Sequence, residues 1–219
     1  MVKPRVAETE DGIQGEFNVR AYDAMQRQMR DRGWLETGAL IKSGIAAGHA
    51  LELGPGPGYV GLEWLKKTNG TTLTGVDISP DMVTMARENA AAYGLTERTE
   101  YVISPGNDIP FDASAFDAAF TTGSMHEWAE PKATFEELWR ILRPGGRLFI
   151  SDLRRDMNRL IRWLISINAK PDVMRRGFAT SVNAAYTPKE LRELIADTSL
   201  RYCVVKGNPV GLRLAGVKP

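Results

Sequence analysis

The chain has 219 residues, 28 of them basic and 27 acidic, with a single cysteine. That length is at the upper end of one domain and can bury a sizeable core, while the balanced charge places no global demand for a nucleic acid or an anionic membrane. Cys203 cannot form an internal disulfide, no His/Cys cluster has metal-ligand spacing, and no apolar run nears the ~18 residues that span a bilayer, so a cytoplasmic protein without metal or membrane span is expected.

Residues 1–16 are polar and read as an extended arm. A helix is predicted from Val19 to about Arg32, with Tyr22, Met25, Gln26 and Met29 on one face and Gly33 as its stop. The stripe reads either as core contact or as the inner face of a lid with Tyr22 as its polar tip. A second helix, about Leu35 to Ala46, completes an N-terminal unit over residues 1–46, and the rest, 47–219, reads as the main domain.

There the pattern alternates. Strands are predicted at Ala50 to Leu53, Thr72 to Val76, Glu100 to Ile103, Phe116 to Thr121 and Arg147 to Ser151. Helices are predicted between them at Tyr59 to Lys67, Ser79 to Tyr93 and Lys132 to Leu142, the second with Ser79 as N-cap and Pro80 at its first position, the third ended by Arg143-Pro144-Gly145-Gly146. Such alternation means βαβ units and a parallel sheet, whose ligand belongs at the carboxyl ends of the strands. Residues 153–186 interrupt the rhythm with an insertion that contains an apolar helix carrying Met157, Leu160, Ile161 and Leu164, with Trp163 and Ile167 widening the stripe. Thr187, Pro188 and Glu190 then spell a capping box, and Arg201 to Val205 with Leu212 to Val217 reads as a terminal hairpin.

The most informative stretch is Leu51-Glu52-Leu53-Gly54-Pro55-Gly56-Pro57-Gly58. Its glycines allow positive φ and a close backbone approach, its prolines stiffen the loop, and the following helix aims its free N–H groups at the same place, which suits a nucleotide-like ligand. Gly56, Gly58 and Gly61 also spell G-x-G-x-x-G, with Asp77 21 positions after Gly56, as in dinucleotide sites.

With Gly75-Val76-Asp77-Ile78-Ser79, Ile109-Pro110-Phe111, Ser124-Met125-His126 and Leu142-Arg143-Pro144-Gly145-Gly146 in order, the chain resembles the class I S-adenosylmethionine (SAM)-dependent methyltransferases, in particular the small-molecule group that acts on ubiquinone and menaquinone precursors. The resemblance implies a Rossmann-like, doubly wound α/β fold: a mostly parallel seven-stranded sheet with a C-terminal antiparallel hairpin and a small helical cap. It implies SAM as cofactor and roles for residues: Gly54, Gly56 and Gly58 against the methionine and ribose, Glu52 fixing the loop, Asp77 on the ribose hydroxyls, Ile78 and Met82 beside the adenine, and Thr122, Gly123 and Ser124 facing the transferred methyl. Tyr22 is added to both the cofactor and the catalytic set as the tip of the lid. The family's acidic side chain near the adenine amino group is missing here. Pro105 and Gly106 stand at that place, leaving Asn107 or Asp108 to substitute.

His126, after the fourth strand, is the candidate general base or an orienting group, because an imidazole titrates near neutrality; His49 reads as structural. Between 140 and 176 there are ten Arg or Lys and three Asp, with Arg155, Arg159 and Arg162 expected on one helix face. Arg155, Asn183 and Tyr186 are candidate acceptor contacts in the variable segment. A small-molecule acceptor is expected, RNA is disfavoured because no aromatic and basic interleaving is present, and the apolar helix is a candidate acceptor cap or homodimer surface. Two other reactions stay open at this point: intramolecular cyclisation or cleavage of SAM, and an NAD-dependent oxidation. A binding module without catalysis is the third alternative.

Overall fold

The computed structural model describes residues 4–7, 13–168 and 172–219. Residues 1–3 and 8–12 of the expected arm, and Lys170 of the basic segment, lie outside the described residues. The strands are β1 His49–Leu53, β2 Thr72–Asp77, β3 Thr99–Ile103, β4 Phe116–Thr122, β5 Leu142–Leu153, β6 Val204–Gly207 and β7 Gly211–Val217. They form one sheet in the order β3-β2-β1-β4-β5-β7-β6, in which β7 runs antiparallel between β5 and β6 while the other neighbours are parallel. Strand order reverses between β1 and β4, which opens a crevice at the carboxyl ends of β1, β2 and β4. An all-parallel dinucleotide sheet has no counterpart of the antiparallel β7.

The helices are α1 Glu16–Asp31, α2 Thr37–Lys42, α3 Tyr59–Lys67, α4 Pro80–Ala92, α5 Pro131–Ile141, α6 Arg159–Asn168, α7 Asp172–Ala184 and α8 Pro188–Ile195. Side-chain alternation divides the strands between two cores. Leu51 and Leu53 pack with Phe135, Leu138, Leu191 and Ile195 of α5 and α8. Ala50 faces the other way, toward Leu40, Trp64 and Val83 of α2, α3 and α4. Trp64 is fully buried against Phe120 and donates its indole N–H to the Ile45 carbonyl at 2.8 Å. His49 takes a structural place, with Nε2 2.9 Å from the Thr74 hydroxyl.

The predicted caps form: the Ser79 hydroxyl accepts from the Met82 N–H at 3.2 Å, and Thr187 and Glu190 make a reciprocal capping box. Four expectations change. The second helix is only six residues long. Arg143 to Gly146 lies within the span of β5 instead of ahead of it, and turns there as expected: Gly145 stands at φ +78°, the pairing with β4 skips from Leu142 to Arg147, and the Gly145 N–H and Gly146 carbonyl bond the Lys218 carbonyl and N–H. The first hairpin strand starts at Val204, since Cys203 N–H closes a turn on the Leu200 carbonyl. The insertion holds a second helix, α7, beyond the expected apolar one, with Pro171, which has no N–H to donate, between them in sequence. Met157 precedes α6 and is buried.

α1 is joined to the nucleotide half by a polar network that no apolar stripe foretold. Asp23, 5% exposed, accepts hydrogen bonds from the Tyr59 hydroxyl at 2.9 Å, the Asn89 amide at 3.0 Å and Arg27 at 2.6 Å. Asn89 also donates to the Pro57 carbonyl at 2.9 Å, so the network reaches the glycine loop.

Candidate cofactor site

The crevice holds a cavity of about 300 Å³. Its floor is Leu53, Gly54, Gly56 and Val76; one wall is Ile78, Met82, Pro105, Gly106 and Asn107; the other is Gly123, Ser124, Glu127, Trp128 and Glu130; Tyr22 and Ile13 close it above. Gly54 is required by close approach: a Cβ there would sit 2.8 Å from that of Ser124, at a φ of +63°. Gly58 does not line the cavity. It stands at φ +85° before α3, where a Cβ would meet the Tyr101 hydroxyl at 3.0 Å, so its part is to turn the chain into the helix.

Asp77 ends β2 with 8% of its surface exposed. Its Oδ2 accepts the Gly56 N–H at 3.0 Å and its Oδ1 the Ser79 N–H at 2.9 Å. Burial raises its pKa, opposed by the backbone hydrogen bonds from Ser79, Gly56 and Ile78. An ionised carboxylate offers about four lone-pair positions, so with these three donors about one remains for a ligand hydroxyl. The two glycines in the floor, the apolar wall of Ile78 and Met82, and this carboxylate fit a nucleoside.

Other expected residues lie elsewhere. Glu52 is buried on the α3 side, where a Cβ on Gly61 would lie 2.3 Å from its Oε2, and it does not touch the cavity. Among the described residues, its Oε2 and the buried Tyr101 hydroxyl have no hydrogen-bond partner. Thr122 and Asp108 are outside the lining; the Asp108 carbonyl accepts from Ser104 Oγ at 2.6 Å. Asn107 lines the mouth and donates to Glu130 Oε2 across it at 3.1 Å. Ser124 joins the wall together: its Oγ lies 2.6 Å from Thr121 Oγ1 and accepts the Trp128 indole N–H at 3.3 Å.

Tyr22 packs over the loop, 3.4 Å from where a Cβ on Gly56 would be, and its hydroxyl accepts from Gln26 at 3.1 Å. Burial, with the nearby Glu127 charge, pushes its pKa up to about 12, so at neutral pH it is a phenol able to donate and unsuited to act as a base. His126 is 3% exposed and outside the lining. Its Nδ1 lies 2.9 Å from Asp152 Oδ1, its backbone N–H donates to Asp152 Oδ2 at 2.7 Å, and Nε2 faces Glu127 Oε1 at 3.7 Å. Glu127, next in the chain, reaches the cavity that His126 does not. The sequence signal for Glu127, Trp128 and Glu130 was only the unusual composition of that segment.

None of the three candidate acceptor contacts lines the cavity. Arg155 is buried, donating to the Ala185 carbonyl and paired with Glu190, and it precedes α6 instead of sharing a face with Arg159 and Arg162. Asn183 accepts from Arg162 at 3.0 Å. Tyr186 is covered by the Arg5 guanidinium, 4.4 Å from its ring centre. Arg5 also donates to the His126 carbonyl at 2.9 Å.

Sheet order, glycine loop and strand-end carboxylate together match the fold of class I methyltransferase domains. A family model described as a methyltransferase domain matches residues 51–150. The chain is 28% identical over 152 residues to the ubiquinone/menaquinone biosynthesis C-methyltransferase UbiE of Geotalea daltonii, covering 67% of this chain and 65% of that protein. It is 26% identical over 195 residues to the demethylmenaquinone methyltransferase of Deinococcus radiodurans, covering 82% and 80%. It thus spans about two thirds of the Geotalea protein's length. In structure it is similar to a Methanococcus maripaludis protein assigned to the S-adenosyl-L-methionine-dependent methyltransferases, with a TM-score of 0.72 at 21% identity over 94% of this chain and 95% of that one.

Proposed function

We propose that the protein transfers the methyl group of SAM to a small-molecule acceptor. The observation that carries this reading is the Asp77 carboxylate, fixed at the end of β2 by the Gly56 and Ser79 N–H groups and lining the same cavity as Gly54 and Gly56, which have no side chains. In this reading Asp77 holds the ribose, Gly54 and Gly56 admit the methionine part, Ile78 and Met82 flank the adenine, and Gly123 and Ser124 border the methyl. Held there, SAM would supply an electrophilic methyl on a sulfonium, with S-adenosylhomocysteine as the leaving thioether.

The chain's own contribution is then orientation and exclusion of water. Tyr22 closes the site and offers a phenolic donor; Glu127 is the carboxylate placed to receive a proton or hold the acceptor, and the buried Asp152–His126 pair orients it. The names of the two relatives make a quinone precursor the first acceptor class to try. No feature of the cavity favours an intramolecular reaction of SAM, and the antiparallel β7 speaks against an NAD-dependent oxidoreductase.

The test is mass spectrometry of the protein with SAM, with and without a deproteinised small-molecule extract. The expected result is S-adenosylhomocysteine (SAH) only with extract, together with a metabolite heavier by one methylene. Methylthioadenosine formed without extract would replace methyl transfer by SAM breakdown.

A further inference from the structure

α6 carries apolar residues outward as well as inward, where Ile161 and Ile165 are partly buried, unlike an ordinary surface helix. Leu160, Trp163, Leu164 and Ile167 are 62%, 56%, 45% and 45% exposed on one side, while Arg162 points inward to Asn183. Side chains of this size carry up to about 150–250 Å² each, so the face presents roughly 400 Å² of apolar surface. A standard protein interface buries about 800 Å² per partner. A second copy therefore finds half the area it needs.

The charge around the face is one-sided. From Met157 to Pro171 the sequence contains no acidic residue. Arg154 and Arg155 are engaged with Asp156 and Glu190, whereas exposed Arg159 and Arg176 make no ion pair among the described residues. An apolar face with a tryptophan, rimmed by arginine and free of carboxylates, is the composition of a helix lying in a lipid headgroup region, where anionic lipid supplies the counter-charge. α6 packs on α7, and α7 in turn packs on α1 and on the turn at 125–127, which carry the cavity-lining Tyr22 and Glu127.

We propose that the α6 face docks the protein on an anionic bilayer surface, beside the cavity. The inference stands on the exposed face and its charge and not on the methyltransferase reading. An apolar acceptor dissolved in lipid would thereby be met where it resides.

Cosedimentation of the full chain with phosphatidylcholine vesicles, with and without phosphatidylglycerol, tests this, alongside gel filtration. Expected are pelleting with the anionic vesicles, weakening with added salt, and at least a tenfold loss in Trp163→Asp with an unchanged circular dichroism melt. Arg159→Glu, remote from any packed contact named above, should weaken anionic binding several-fold. As a second readout, vesicles should blue-shift the tryptophan emission of the wild type more than that of Trp163→Phe. No pelleting with anionic vesicles at low salt would overturn the proposal. So would a dimer in gel filtration that Trp163→Asp converts to monomer, since the face would then belong to a second copy.

Discussion

Asn107 and Glu130 meet across the cavity mouth at the place where the resemblance calls for an acidic side chain near the adenine amino group. Pro105 and Gly106 offer no side-chain acceptor there, but Glu130, 25 positions further along (130 − 105), puts a carboxylate at the same mouth. Motif reading works by position along the chain and looked for the substitute nearby, in Asn107 or Asp108. It had no means of seeing a residue carried in by the segment after β4. Glu130→Gln is expected to weaken SAH binding several-fold, up to about tenfold per 1.4 kcal/mol, and Asn107→Ala to weaken it less. Calorimetry with SAH and with S-inosylhomocysteine, which lacks the amino group, checks this. An equal loss for both ligands would place Glu130 away from the adenine edge.

At the scale of elements, strands β1 to β4 and helices α3, α4 and α5 were legible because each carries a local signal: an apolar run, a cap, a glycine stop. What stayed hidden depended on distant partners. Lys218, from far along the chain, is what pairs with the Arg143 to Gly146 turn, and α1 reads as an apolar stripe although its firmest attachment is the buried carboxylate of Asp23. Removing that carboxylate leaves Tyr59, Asn89 and Arg27 short of an acceptor, a loss of about 1–3 kcal/mol for a buried polar group. Asp23→Ala should therefore lower stability by that amount in urea unfolding and also weaken SAH binding, since Asn89 ties the network to Pro57 of the glycine loop. A destabilised variant with unchanged SAH affinity would confine the network to a structural role.

For the whole molecule, the order of strands could be anticipated from the resemblance, and the two-core division follows from alternation along β1. The burial of Glu52 without a partner for Oε2 could not, since it arises where α3, β1 and Tyr101 close over one carboxylate. Burial raises its pKa well above the ordinary 4.5; a Gly61 N–H opposes this, and the Asp77 charge adds to it. The folded state thus binds a proton on Glu52 that the unfolded chain releases, so this group contributes negatively at high pH and the penalty lifts as pH falls from its folded pKa toward 4.5. Glu137, Asp156 and Glu190, held low by Arg140, by Arg154 and by the Thr187 and Arg155 contacts, act oppositely, losing their contribution as pH falls through their folded pKa values. Stability should accordingly peak on the acid side of neutrality. Glu52→Gln removes the penalised charge and keeps an acceptor for Gly61, so it should raise stability near neutral pH by at least about 1 kcal/mol and flatten the fall on the alkaline side. Thermal unfolding of both proteins across pH 5 to 8, roughly the range where raised carboxylates titrate, makes the comparison; a Glu52→Gln protein that melts lower than wild type throughout would mean that the charged carboxylate is held by a partner and stabilises the fold.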